Sequence, residues 1–218
     1  MKLYLIRHGQ TQADVNGVIC GSSDIGLTEL GKQQAKHLAN MLASVRLDGI
    51  IHSGMLRSEQ TANIILGQRD INLETQTLAQ EICFGQWELR CHSEVKSSAT
   101  VSYADWCRDW QLAEVPGGEL FADFSQRIRR ALNQLYLRPA NSQLAIIGEQ
   151  GALSFMLAMM LKLAPADMLR FPFHQGSLCE VELTNGYCVI QRFNDTGLLA
   201  MPEASSLGSS TNQCLAEP

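Results

Sequence analysis

Three short runs in this chain carry no polar alternation: Leu3 to Ile6, Gly49-Ile50-Ile51, and Leu144 to Ile147. A strand with one wet face alternates apolar and polar residues, so such runs belong to strands covered on both faces. Between them the period changes to that of a helix. From Thr28, an N-cap candidate, Ala35, Leu38, Ala39 and Leu42 recur on one face. A second helix from about Met55 turns Ala62, Ile65 and Leu66 inward, and Phe121, Phe124, Ile128, Ala131, Leu132 and Leu135 form the cleanest stripe. An apolar helix follows Gly151. Ile71 to Thr75 alternates weakly and reads as an edge strand. Leu178 to Leu183 and Tyr187 to Phe193 flank Asn185-Gly186, a strong hairpin signal. The order predicts an α/β fold, a three-layer α/β/α sandwich whose mostly parallel sheet ends in an antiparallel hairpin.

At 218 residues the chain fits one domain, expected over 1–202. Within it, 84–118 reads as a helical insertion over the ligand edge of the sheet, with Ala99, Tyr103, Trp106 and Trp110 on one face. Residues 203–218, rich in Ser, Gly and Asn, read as a flexible tail. A formal charge of −5 argues against a nucleic-acid partner, which needs clustered Lys and Arg. Seven cysteines, an odd number without a C-x-x-C pair, indicate neither a disulfide framework nor a zinc site, and read as free thiols in a reducing compartment. The N-terminal apolar run is too short for a signal peptide. The segment 151–164 is broken by Lys162 and falls short of the ~20 residues that a membrane span needs. These features imply a cytoplasmic protein with no membrane partner; a homodimer is left open.

Ligands of open α/β sheets bind beyond the carboxyl ends of the strands. Three groups fall there: Arg7-His8-Gly9, Ser53 to Arg57, and Gly148-Glu149-Gln150-Gly151. Helices starting after such strands aim backbone N–H groups at the same region and favour an anion. A histidine beside arginines suits phosphoryl transfer, since a neutral imidazole can attack phosphorus while guanidinium groups neutralise the non-bridging oxygens.

Five ordered blocks share this spacing. They are Leu5-Ile6-Arg7-His8-Gly9-Gln10-Thr11, Leu27-Thr28-Glu29-Leu30-Gly31, Ser53 to Ala62, Glu81 with Phe84-Gly85-Gln86-Trp87-Glu88, and Gly117-Gly118-Glu119 with Asp123 and Arg127. Together they resemble the histidine phosphatase superfamily (phosphoglycerate-mutase-like) over about residues 1–195. The resemblance implies that His8 is the nucleophile and forms a phosphohistidine. It further implies that Arg7 and Arg57 hold the phosphate, and that Glu81 protonates the leaving oxygen and then activates water. Arg7, Asp14, Gly21, Arg57 and Gln150 are the implied substrate contacts. No metal and no cofactor are implied. Within the superfamily the chain most resembles α-ribazole phosphatases, through Phe84 to Arg90, Trp106 to Gln111 and Gln175-Gly176. The implied partner is then a small phosphorylated metabolite, α-ribazole 5′-phosphate or similar, used in cobalamin nucleotide-loop assembly. Phe84, Trp87, Trp106 and Trp110 can wall a benzimidazole ring or simply anchor the insertion.

Two positions depart from the pattern. Asp14 stands for the usual Asn, and Glu149 for the family's second histidine. Two unit charges ~4 Å apart at an effective dielectric of about 20 repel by roughly 4 kcal/mol. An ionised Glu149 facing the phosphate would therefore cripple catalysis. A protonated Glu149, a Glu149 turned toward an arginine, or an imidazole from His52 or His174 in its position would each relieve the repulsion. Otherwise the chain is a weak phosphatase, a phosphatase of another small substrate, or a non-catalytic binder of phosphorylated ligands.

Overall fold

The computed structural model of the protein describes residues 1–197. Among the described residues six strands form one sheet: β1 (Lys2–Arg7), β2 (Gly49–His52), β3 (Asn72–Thr75), β4 (Gln143–Gly148), β5 (Leu178–Thr184) and β6 (Tyr187–Asp195), in the order β3-β2-β4-β1-β5-β6. β3, β2, β4 and β1 are mutually parallel; β5 runs antiparallel to β1 and β6 antiparallel to β5. The weakly alternating β3 is an edge strand, as its pattern indicated. Asn185 and Gly186 both take positive φ, the backbone a tight hairpin turn requires.

The helices are α1 (Gln12–Asn16), α2 (Glu29–Met41), α3 (Leu56–Leu66), α4 (His92–Ser98), α5 (Thr100–Arg108), α6 (Phe121–Tyr136) and α7 (Gln150–Met160). Alternate residues of the central strands feed two cores. Leu3, Leu5, Leu144 and Ile146 pack with α6 and α7. Tyr4, Ile6, Ala145 and Ile147 pack with Leu38 and Leu42 at the end of α2 and with Ala62 and Ile65 of α3. Helices thus cover both faces, which accounts for apolar runs without alternation. The expected tail, 203–218, lies outside the described residues.

A third, smaller cluster joins Ile19, Phe84, Trp87, Val95, Tyr103 and Trp106 around α4 and α5. The ends of the segment 84–118 are pinched together: Glu119 N donates to Cys83 O at 2.8 Å and Gln86 N to Pro116 O at 2.9 Å. A Cβ on Gly85 would fall 2.3 Å from the Gly117 carbonyl carbon, so only glycine permits that approach. Cys20, Cys83, Cys91, Cys179 and Cys188 are free thiols, as expected.

Candidate active site

Strand register assembles the site. Arg7 pairs with Gly148, and His52 with Ile147, so the residues that follow, His8, Ser53 and Glu149, emerge side by side. His8 N donates to Gly148 O and Ser53 N to Ile147 O, both at 3.1 Å. A cavity of about 200 Å³ opens there, with Arg7, His8, Asp14, Arg57, Glu81, Glu149 and Gln150 among its walls.

His8 is buried, and its Nδ1 lies 2.7 Å from Gly9 O. A carbonyl can only accept, so the proton sits on Nδ1 and Nε2 keeps its lone pair. Burial, then the charges of Arg57 and Arg7, push the imidazole pKa down to about 3. The ring is therefore neutral at physiological pH, with the Nε2 lone pair free to act.

The two guanidinium groups are held rigidly. Arg7 donates through Nη1 to Gln150 Oε1 (2.6 Å) and Phe173 O (2.7 Å), and through Nη2 to Asp14 Oδ1 (3.1 Å). Its Nε is buried without a partner among the described residues. Arg57 donates through Nη1 to Ser23 O (2.8 Å) and Cys20 Sγ (3.7 Å), through Nη2 to Gly21 O (2.7 Å), and pairs through Nε with Glu149 Oε1 (3.4 Å). Each group has five N–H bonds, and among the described residues three on each are spent in these hydrogen bonds, the Arg57 Nε–H lying in the ion pair with Glu149.

Gly21 is not on the cavity wall. Its carbonyl holds Arg57, and its N–H donates to Glu88, whose carboxylate also accepts from the backbone of Ser22, Ser23 and Phe84. The structure thus gives Gly21 an indirect role in place of the expected substrate contact. Asp14 is the third residue of α1 and closes a capping box with Thr11. Burial alone would raise its carboxyl pKa, but Arg7 and the Thr11 hydrogen bonds bring it below the ordinary value. Gln175, beside it on the wall, donates to Asp14 Oδ1 at 2.8 Å.

Glu81 accepts from Gly151 N at 2.6 Å and Ile82 N at 3.0 Å. Burial nevertheless keeps its carboxyl pKa above the ordinary value, suiting an acid that must hold a proton before giving it up. Its backbone is fixed by Arg127, which donates to Leu78 O, Gln80 O and Glu81 O while gripping Glu119 through Nε and Nη2. The sequence blocks contained Glu119 and Arg127, but nothing in their spacing disclosed this work.

Glu149 faces the cavity, only 2 % exposed. Burial and the nearby Glu81 outweigh Arg57 and Ser53, pushing its carboxyl up to about 7. Neither candidate replacement imidazole is on the wall. His52 is tied between Gly54 N (3.2 Å) and Thr75 Oγ1 (3.1 Å) at the sheet edge, and His174 is exposed. Beyond the polar floor, Phe84, Trp106, Trp110, Phe121 and Phe124 continue the wall. Trp87 does not: it is buried beneath Trp106, ring centroids 5.8 Å apart, and supports that ring from behind. Among the described residues no cluster of His, Cys, Asp and Glu is arranged to hold a metal, and no helix is long and apolar enough to cross a membrane.

The model of the "Histidine phosphatase superfamily (branch 1)" matches residues 3–196. This chain belongs to that superfamily. It is 34% identical over 194 residues to an adenosylcobalamin/alpha-ribazole phosphatase of Salmonella typhimurium, covering 89% of this chain and 96% of the relative. The structure of a putative alpha-ribazole-5'-P phosphatase from Escherichia coli superposes with a TM-score of 0.87 at 30% identity, covering 92% of this chain and 99% of the other. A probable phosphoglycerate mutase of Yersinia enterocolitica is 29% identical over 213 residues, covering 95% and 99%. The fold is accordingly that of the phosphoglycerate-mutase-like phosphatases, and the chain is a phosphatase hydrolase of that family.

Proposed function

We propose that the chain hydrolyses a small phosphomonoester through a phosphohistidine, and that the ester is α-ribazole 5′-phosphate in cobalamin nucleotide-loop assembly. The observation that carries the chemistry is His8 itself: a buried, neutral imidazole with Nδ1 fixed by Gly9 O and two arginines in the same cavity. His8 Nε2 attacks phosphorus, an N–P bond forms, and the ester P–O bond breaks. Glu81 gives its proton to the departing alkoxide. The resulting Glu81 carboxylate takes a proton from water, the hydroxide attacks phosphorus, and the N–P bond breaks to release inorganic phosphate and His8. Unused N–H groups on Arg7 and Arg57 take the charge that builds on the non-bridging oxygens. For the leaving group, the aromatic wall of Phe84, Trp106, Trp110 and Phe121 offers ring edges and faces to a flat heterocycle. The names of the relatives from Salmonella and Escherichia coli point the same way.

The test is phosphate release from α-ribazole 5′-phosphate, p-nitrophenyl phosphate, 3-phosphoglycerate and a set of sugar phosphates. A kcat/KM for the ribazole at least about tenfold above the others is expected, that ratio corresponding to 1.4 kcal/mol of differential transition-state binding. Preference for another ester would replace the substrate. His8→Ala should abolish turnover, and substantial residual hydrolysis would overturn the covalent route.

A further inference from the structure

Behind Glu149 lies a line of buried oxygens. Glu149 Oε1 is 2.8 Å from Ser53 Oγ, Ser53 Oγ is 2.7 Å from Ser58 Oγ, and Ser58 Oγ is 2.8 Å from Met55 O. Both serines are fully buried and neither is on the cavity wall. Three successive hydrogen bonds need three protons, and the two hydroxyls supply two. The carbonyl of Met55 supplies none. If Glu149 were ionised, Ser53 would donate to it, and the single Ser58 hydrogen would have to serve both Ser53 and Met55 O. One short oxygen–oxygen contact would then have no hydrogen between its atoms. In addition, Glu149 Oε2 is buried without a partner among the described residues, a position far costlier for half of a carboxylate charge than for a neutral carbonyl oxygen. A proton on Oε1 satisfies the whole line: Glu149 donates to Ser53, Ser53 to Ser58, and Ser58 to Met55 O, while Met55 N donates weakly to Ser53 Oγ at 3.4 Å.

We propose that Ser53 and Ser58 form a one-way relay that holds Glu149 as a neutral acid, so that a tetrahedral dianion enters the site only while Glu149 keeps its proton. The inference rests on the phosphate-binding reading of the cavity, and it makes Ser58, which touches neither the cavity nor Glu149, a positioning residue. The charged and titratable groups around Glu149 come from three elements. Arg57 on α3 favours ionisation; Glu81, from the loop after β3, opposes it; Arg7 and the neutral His8 stand at the end of β1. Burial tips this balance to a carboxyl that titrates near neutrality.

The test is sulfate binding to the full chain by calorimetry between about pH 5 and about pH 9, where sulfate has no proton to exchange and His8 stays neutral. The wild-type affinity should be level below about 7 and fall about tenfold per pH unit above it. Glu149→Gln should hold the acid-side affinity throughout. Ser58→Ala suits its helix and removes the acceptor of the Ser53 hydrogen. That hydrogen then turns to the Glu149 carboxylate, and the midpoint should move down by about one pH unit. A midpoint that is unmoved or raised in Ser58→Ala overturns the relay. So does a falling limb that persists in Glu149→Gln, which would assign the proton to Glu81, and so does absence of sulfate binding at every pH. Ester hydrolysis measured on the same preparations separates the two readings. The predicted binding profile without phosphate release removes the hydrolytic function and leaves the relay, whereas hydrolysis with pH-independent sulfate binding does the reverse.

Discussion

Glu149 concentrates the chemical tension of the site on one carboxyl. Its unfolded-state pKa is near 4.5, and burial raises the folded-state value to about 7. Between those values the folded chain holds a proton that the unfolded chain has released, so stability declines as pH rises through this window and is level above it. The shift corresponds to roughly 3 kcal/mol. Glu149→Gln keeps the shape and cannot titrate. Its unfolding free energy relative to wild type should therefore improve by about 3 kcal/mol between about pH 4.5 and about pH 7, then stay constant. Urea unfolding at several pH values measures it, and an equal difference at both ends of the window would refute the buried-acid account. Glu81 offers a second residue-scale test. A Cβ on Gly151 would lie 2.4 Å from Glu81 Oε1, the movable end of a side chain. Gly151→Ala should therefore leave the fold intact, Ala being the better helix former, while displacing the acid and lowering kcat by about 10²-fold or more. Unchanged kcat with the same melting temperature would mean that Glu81 does not need its present seat.

Elements were legible where local pattern and tertiary role coincide. The unalternating runs became β1, β2 and β4 because helices cover both faces of the sheet, and Thr28 caps α2 by accepting from Gly31 N. α1 escaped notice because five residues cannot display an apolar stripe; it is held by its capping box and a left-handed Gly17. Arg7, His8, Arg57, Glu81 and Glu149 could be listed from the motifs, but their common cavity depends on strand register. Which arginine donors are already spent, that Gly21 serves Arg57, and that Ser58 stands behind Glu149 all depend on contacts between distant segments, which no local spacing encodes. The aromatic segment shows the same split: Trp106 reaches the wall and Trp87 underpins it. Because the cluster around α4 and α5 shares no buried residue with the two sheet cores, and meets the larger one through the half-buried Ile82 and Trp110, damage there should stay local. Trp106→Ala should cost that cluster about 3–5 kcal/mol. Hydrogen exchange should accelerate in α4 and α5 but not in β1 or β4, and KM for an aromatic ester should rise more than KM for a sugar phosphate. Uniform acceleration across the sheet would show that the cluster is not independent.

For the molecule as a whole, several histidines pull the pH dependence of stability in the direction opposite to Glu149. Burial lowers the pKa of His8, His52 and His92, so each stays neutral in the folded chain at pH values where the unfolded chain takes up a proton. Stability from this source is complete above about 6.5 and is lost as pH falls. His8 dominates, with its folded value at about 3. The proposed nucleophile is thus kept neutral by the same desolvation that makes the fold sensitive to acid. His8→Gln keeps a polar side chain of similar size with no proton to gain. At about pH 4 it should be more stable relative to wild type than at about pH 7 by roughly 3 kcal/mol. Were the two differences equal, His8 would titrate normally in the folded chain, and the neutral, buried nucleophile would have to be abandoned along with the hydrolytic mechanism built on it.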